Sequence, residues 1–262
     1  MSFKLSPLRA GIAALALALP ALAPVAAATA GTAPAAFAFT PIQGAAGSAT
    51  PFFISHGGGV RHAGSTSTNW AGYAATGSTY TSVTTTFKQP KVTCSSGTEY
   101  SSFWVGLDGD GTSSVEQTGT EADCSGSSAS YSAWYEMYPA YPVTYSNSVS
   151  PGDTIVEKVI YEGSNSYELY LADTTRGWSH TTKKTGSHSR GSAEVIAEAP
   201  YSGGVLPLAN FGTVTFNSST VDGSSLASVS PTSINMTTSS GTVKAATGSL
   251  SGGTFSITWH HK

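Results

Sequence analysis

From Thr68 onward the chain is a succession of short segments in which apolar and polar residues alternate, each broken off by Gly, Ser or Asn. No stretch shows a helical period of useful length, so the pattern constrains the fold to strands. Candidate strands cover 81–88, 101–107, 115–121, 129–138, 154–161, 166–172, 192–199, 213–216 and 255–259. Many short strands in one run predict an all-β fold, a sandwich or a barrel. Charged residues make up only 10% of the chain, against roughly 25% in an ordinary globular protein. Gly, Ser and Thr fill the difference, which suits strands joined by many turns and not long helices. The 39% of hydrophobic residues is enough for a real core.

The two faces of these segments differ, because strand side chains alternate between them. Phe103, Val105 and Leu107 share one face, while Trp104, Gly106 and Asp108 share the other. Tyr131, Ala133, Tyr135 and Met137 oppose Ser132, Trp134, Glu136 and Tyr138 in the same way. Ala193, Val195 and Ala197 oppose Ser192, Glu194, Ile196 and Glu198, and Gln117 lies between Val115 and Gly119. One apolar and one polar face is the ordinary antiparallel arrangement. Aromatic residues on the polar face point to a cleft for an extended polymer, peptide or sugar.

The start of the chain reads differently. Lys4 and Arg9, the apolar run 10–19, Pro20 and Pro24, and the small residues at 25–28 form a secretory signal over 1–28. The run is too short for a membrane anchor. Residues 29–64 are rich in Ala, Pro and Gly and hold no acidic side chain, which reads as a pro-segment or linker. The β domain is then 65–262. Lys4, Arg9 and Arg61 are the basic residues before position 65, leaving 9 basic against 15 acidic residues in the domain. That balance excludes a basic stripe for nucleic acid. Two cysteines, Cys94 and Cys124, are too few for a structural zinc site, and in an exported chain they predict one disulfide.

Several catalytic signatures are missing. There is no HExxH helix and no GxSxG elbow. Of six histidines, His56 and His62 precede the domain, His260 and His261 end it, and His188 lies in a Gly-Ser-rich loop. Asp108-Gly109-Asp110-Gly111 has no distal Glu at EF-hand spacing and reads as a turn. No metal and no cofactor is expected.

What is present, in order, is Asn69-Trp70-Ala71-Gly72, Trp104-Val105-Gly106-Leu107-Asp108-Gly109-Asp110, Gln117-Thr118-Gly119, Ala133-Trp134-Tyr135-Glu136-Met137-Tyr138-Pro139, Ala193-Glu194-Val195-Ile196-Ala197-Glu198 and Leu206-Pro207-Leu208-Ala209-Asn210-Phe211-Gly212. These six blocks resemble those of the glutamic peptidases (eqolisins). The resemblance implies an antiparallel β-sandwich of two curved sheets, of lectin-like or jelly-roll type. It implies Gln117 and Glu198 as the catalytic pair, with Glu as general base and acid and the Gln amide at the oxyanion. Trp70, Trp104, Asp108, Trp134, Glu136 and Tyr138 are candidates for substrate contacts or support. The departures are Ser132, Met137, Val195 and Ala199-Pro200, which bear on substrate preference and pH optimum and leave the pair intact. The expectation is a secreted, extracellular acid endopeptidase, monomeric, acting on polypeptides. Two other readings stand beside it: a jelly-roll glycoside hydrolase using Glu136 and Glu198, and a non-catalytic carbohydrate-binding domain. Neither requires Gln117 in its block.

Overall fold

A computed structural model describes residues 66–262 of the chain. The leader expected at 1–28 and the pro-segment expected at 29–64 lie outside the described residues. Seventeen strands run, in chain order, β1 Thr66–Ser67, β2 Trp70–Thr76, β3 Ser82–Lys88, β4 Thr98–Glu99, β5 Ser102–Leu107, β6 Val115–Ser125, β7 Ser128–Tyr138, β8 Val143–Thr144, β9 Thr154–Gly163, β10 Ser166–Asp173, β11 Trp178–Thr185, β12 Ser192–Glu198, β13 Thr213–Val221, β14 Ser224–Ser225, β15 Thr232–Thr237, β16 Val243–Thr247 and β17 Phe255–Trp259. A single turn of 3₁₀ helix, Leu226–Val229, is the one helical element among the described residues.

The strands form two packed sheets. The front sheet runs β15-β2-β12-β5-β6-β7-β8, with β4 on the far part of β6. The back sheet runs β11-β10-β9-β3-β13-β17-β16-β15. Strand β15 belongs to both: Thr232–Ile234 pair with β2, and Met236–Thr237 with β16. Pairing is antiparallel except for the two-residue contact of β1 with β15. This is the expected β-sandwich. All nine expected strands are present, with β6 and β13 extending further than their apolar pattern. Eight more are present: β2, β11, β15 and β16, and the two-residue strands β1, β4, β8 and β14.

The core lies between the sheets and is built from the faces that alternation assigns to it. Phe103, Val105, Leu107, Ala133, Ala193, Val195 and Ala197 from the front sheet meet Val83, Phe87, Ile155, Val159, Leu169, Leu171, Val214 and Phe216 from the back. Phe87 lies against Phe103 and Phe216, with ring centroids 6.0 and 5.2 Å away. Cys94 and Cys124 are joined, as expected, and tie the loop before β4 to β6. A second, smaller cluster of Trp70, Ala74, Trp104, Val115, Trp134, Ile196 and Ile234 lies on the other face of the front sheet, with Tyr138 packed against it. The front sheet is therefore apolar on both faces, and its outer face is where the polar candidates stand.

Candidate active site

Register across the front sheet arranges the outer face in three lateral rows. The first holds Glu194, Gly106, Gln117 and Glu136. The second holds Ile196, Trp104, Gly119 and Trp134. The third holds Trp70, Glu198, Ser102, Glu121 and Ser132. Gln117 and Glu198 thus share one face, on strands separated by β5, with the Trp104 row between them. Gln117, Glu136, Glu198 and Trp104 have no exposed surface, and Trp70 and Trp134 are buried with them.

Each oxygen of Glu198 receives an N–H. Asn69 Nδ2 donates to Oε1 at 3.1 Å, and Trp104 Nε1 donates to Oε2 at 2.7 Å. The first donor is aimed by a local turn. Ser67 Oγ accepts from the backbone N–H groups of Asn69 and Trp70 at 3.2 and 3.0 Å, a side-chain turn of the kind Ser favours. The same hydroxyl donates to Asn69 Oδ1 at 3.1 Å. That bond sets which end of the amide is oxygen, and so turns Nδ2 toward Glu198. The second donor is steadied by Trp70, whose ring meets that of Trp104 edge to face at 5.0 Å. Asn69 was not among the site candidates. Its only sign in the sequence is its place beside Trp70 in the first block.

The Gln117 amide is aimed in turn. Its Nε2 donates to Glu136 Oε2 at 2.7 Å. In the ionised form a carboxylate accepts and does not donate, so the contact assigns the nitrogen end of the amide to Glu136. Gly119, two residues on, leaves a place for two indoles. A Cβ there would stand 2.6 Å from Trp104 Cβ, 2.9 Å from Trp134 Cζ2 and 2.5 Å from the Phe103 carbonyl oxygen. Trp134 and Tyr138 both belong to the outer-face cluster, as alternation along β7 requires.

Asp108 stands apart from this group. Its φ of 67° takes it out of strand alternation at the end of β5. Its carboxylate accepts from Ser189 Oγ, Arg190 N and Gly191 N, each at 2.7 Å. It therefore fastens the 189–191 segment that leads into β12. Glu194, which shares a row with Gln117, is buried as well. Burial pushes its carboxyl well above the usual range, against a bond from Ser192 and another from the Asp110 N–H. Among the described residues no group of three or more His, Cys, Asp or Glu is placed to hold a metal ion.

A sandwich of two antiparallel sheets carrying the six ordered blocks is the architecture of a class, the glutamic peptidases. Residues 68–259 match the family model described as the Peptidase A4 family, and the chain belongs to that family. It is a peptide-bond hydrolase. The chain is 33% identical to aspergillopepsin-2 of Aspergillus niger over 220 residues, 74% of this chain and 78% of that one. It is 32% identical to scytalidopepsin B of Scytalidium lignicola over 136 residues, 50% of this chain and 51% of that one. Scytalido-glutamic peptidase, solved with a transition state analog inhibitor, superposes with a TM-score of 0.65 at 27% identity, covering 74% of this chain and 98% of that one. Aspergilloglutamic peptidase from Aspergillus niger gives 0.52 at 30% identity, covering 62% and 99%.

Proposed function

We propose that the chain is a secreted acid endopeptidase in which Glu198 activates water and the Gln117 amide stabilises the oxyanion. The observation that carries this reading is that both oxygens of Glu198 are held by N–H donors while Gln117, on the same face, is held by Glu136. Peptide hydrolysis needs a base for water and a donor where negative charge develops. Glu198 takes a proton from water, and the hydroxide attacks the scissile carbonyl carbon. An N–H of Gln117, which cannot titrate, stabilises the oxygen as it becomes negative. Glu198 then returns the proton to the departing nitrogen. One carboxyl group serves both steps, as base when ionised and as acid once it holds the proton. That the same fold is known with a peptide-based transition state analog supports polypeptide as the substrate. Secretion is read from the leader pattern at 1–28.

Both side chains are buried in the folded chain. The segment 29–64, read as a pro-segment, is the part whose removal we expect to accompany activation. The test is digestion of acid-unfolded casein at about pH 3–4, which brackets the Glu reference value. Wild type should cut, insensitive to pepstatin, and folded Glu198→Gln and Gln117→Ala should not. Equal cutting by all three would place the chemistry elsewhere. A precursor as active as the trimmed chain would remove the activation step.

A further inference from the structure

A cavity of about 710 Å³, a size that suits a ligand, lies where Thr68 and the 97–99, 205–207 and 237–239 segments meet Lys244 and the 261–262 segment. Thr68 forms part of its wall, and the next residue, Asn69, is a Glu198 donor. Leu206 and Pro207 form another part. The Pro207 carbonyl accepts from Tyr100 N at 2.8 Å, two residues before the Ser102 that pairs with Glu198. Two segments of the cavity wall are thus tied to the segments that carry Asn69 and Ser102.

Its charged lining is unusual. Lys244, on β16, lines the cavity with only 6% of its surface exposed. No carboxylate stands within ion-pair distance of its ammonium, and no hydrogen bond to it is made among the described residues. The nearby acid, Glu99, is already engaged: its Oε1 accepts from Ser95 Oγ at 2.7 Å and lies 3.5 Å from Lys262 Nζ. Burying an ammonium without a partner is costly. The cost shows in the Lys244 pKa, which burial lowers to about 8. At any acid pH the group is still a cation, set in a cavity and lacking its anion.

We propose that this cavity is a carboxylate-binding subsite, in which Lys244 receives a side-chain or terminal carboxylate of the polypeptide. The proposal rests on the peptidase reading for its occupant, while the cation and the cavity stand without it. An α-carboxyl or Asp carboxyl, with pKa values of about 3.3–3.9, is still largely ionised at pH 5, so it is matched to a cationic subsite in mild acid. Thr98, Thr237, Thr238 and Ser239 add hydroxyl donors around it. A carboxylate seated there would convert the buried ammonium from a liability into an ion pair.

The test is made on the Glu198→Gln chain at pH 5, so that no peptide is cut and the outcome does not depend on catalysis. Binding of succinate, and of a neutral peptide with a free or an amidated C-terminus, is followed by ligand-observed NMR and calorimetry. Lys244→Met is the comparison, and Lys244→Arg the variant that keeps the charge. Removing an unpartnered buried cation should leave the fold intact, which thermal melting checks. The free-acid peptide should bind on the order of tenfold more tightly than its amide. Lys244→Met should abolish that preference and Lys244→Arg should restore part of it. Succinate binding that depends on Lys244, with no preference between the peptides, would overturn the peptide subsite and leave a small-acid site. Carboxylate binding unchanged by Lys244→Met would overturn the proposal. Failure of the casein digestion, by contrast, would touch only the peptidase reading.

Discussion

A carboxylate that takes a proton from water and returns it to an amine has to present the same oxygen twice, so its orientation matters as much as its presence. In this chain one N–H holds each oxygen of Glu198, from Asn69 and from Trp104. Hydrogen bonds to a charged group contribute about 1.5–3 kcal/mol, which corresponds to roughly ten- to a hundredfold in rate if the orientation is needed in the transition state. Trp104→Phe removes the donor and part of the buried ring that meets Trp70. Asn69→Ala removes the other donor and the amide that Ser67 aims. Each should lower kcat on a peptide substrate by at least tenfold, with KM changed much less, in chains that still melt cooperatively at a somewhat lower temperature. A loss confined to KM would make these two side chains substrate contacts, not holders of Glu198. Glu136→Leu belongs to the same test from the other side. It removes the Glu136 acceptor that receives the Gln117 amide, and kcat should again fall more than KM rises.

At the scale of strands, the outer face works because β5, β6 and β7 come close enough for two indoles to pass over a glycine. Gly119 carries that requirement: a Cβ would collide with Trp104, Trp134 and the Phe103 carbonyl together. Backbone and packed rings cannot yield as the tip of a lysine would, so Gly119→Ala should cost about 1–3 kcal/mol as overpacking. At roughly 2–4 °C per kcal/mol for a domain of this size, the melting temperature should fall by several degrees, and activity should fall with it. Gly204→Ala, where nothing stands within 4 Å of the added Cβ, is the control and should change neither. The strands themselves differ in how far they announce themselves. β5, β7 and β12 have an apolar face of Phe, Val, Leu, Ala and Tyr, and period-two reading assigned both of their faces. β11 alternates between half-buried and exposed positions with no fully buried residue, because it is an edge strand, so Lys183, Lys184 and three threonines hide it. β2 is buried almost throughout but written in Ala and Gly. Gly72 is needed there because β12 passes against its backbone, and a Cβ would meet the Val195 carbonyl oxygen. Small residues pack well against a neighbour and carry little strand signal of their own. Gln117 and Glu198 were legible only through their blocks. The Asn69 contact was not, since it joins residues 129 apart in the chain, and the Lys244 cavity draws on six separate segments.

Over the whole molecule, the distribution of buried acids sets how stability varies with pH. Glu116 and Glu157 point into the layer between the sheets, fully buried, and their oxygens make no hydrogen bond among the described residues. Burial, and then the neighbouring Asp108 carboxylate, push the Glu116 carboxyl up to about 9, against Ser114 and Arg190; His188 Nδ1 lies 3.6 Å away. Burial alone pushes Glu157 well above the ordinary range. A Glu in the unfolded chain titrates near 4.3. Between that value and the raised one, the folded chain keeps protons that the unfolded chain gives up. Folding stability therefore is complete below about pH 4 and falls as pH rises, by up to about 1.4 kcal/mol per unit for each such group. Two pairs work in the other direction, Lys183 with the exposed Glu162 and Arg176 with Asp153. Against a burial term that would raise it, the Arg176 guanidinium holds Asp153 below its usual range, so that contribution is present at neutral pH and lost in strong acid. The Arg176 side chain is 36% exposed, and such pairs contribute roughly 0–1 kcal/mol, so the buried acids, Glu116 and Glu157 together with Glu194 and Asp123, outweigh it above pH 4. The melting temperature of the wild type should be highest near pH 4 and fall steadily toward pH 8. Glu116→Gln combined with Glu157→Gln puts a neutral group of the same shape at both positions. It should leave the pH 4 value close to wild type and raise the pH 8 value, flattening the slope. If the doubly substituted chain keeps the wild-type slope, these two acids are not its source. If it flattens, the cost of ionising buried carboxyls in the interior of the sandwich is what makes the folded chain most stable in acid.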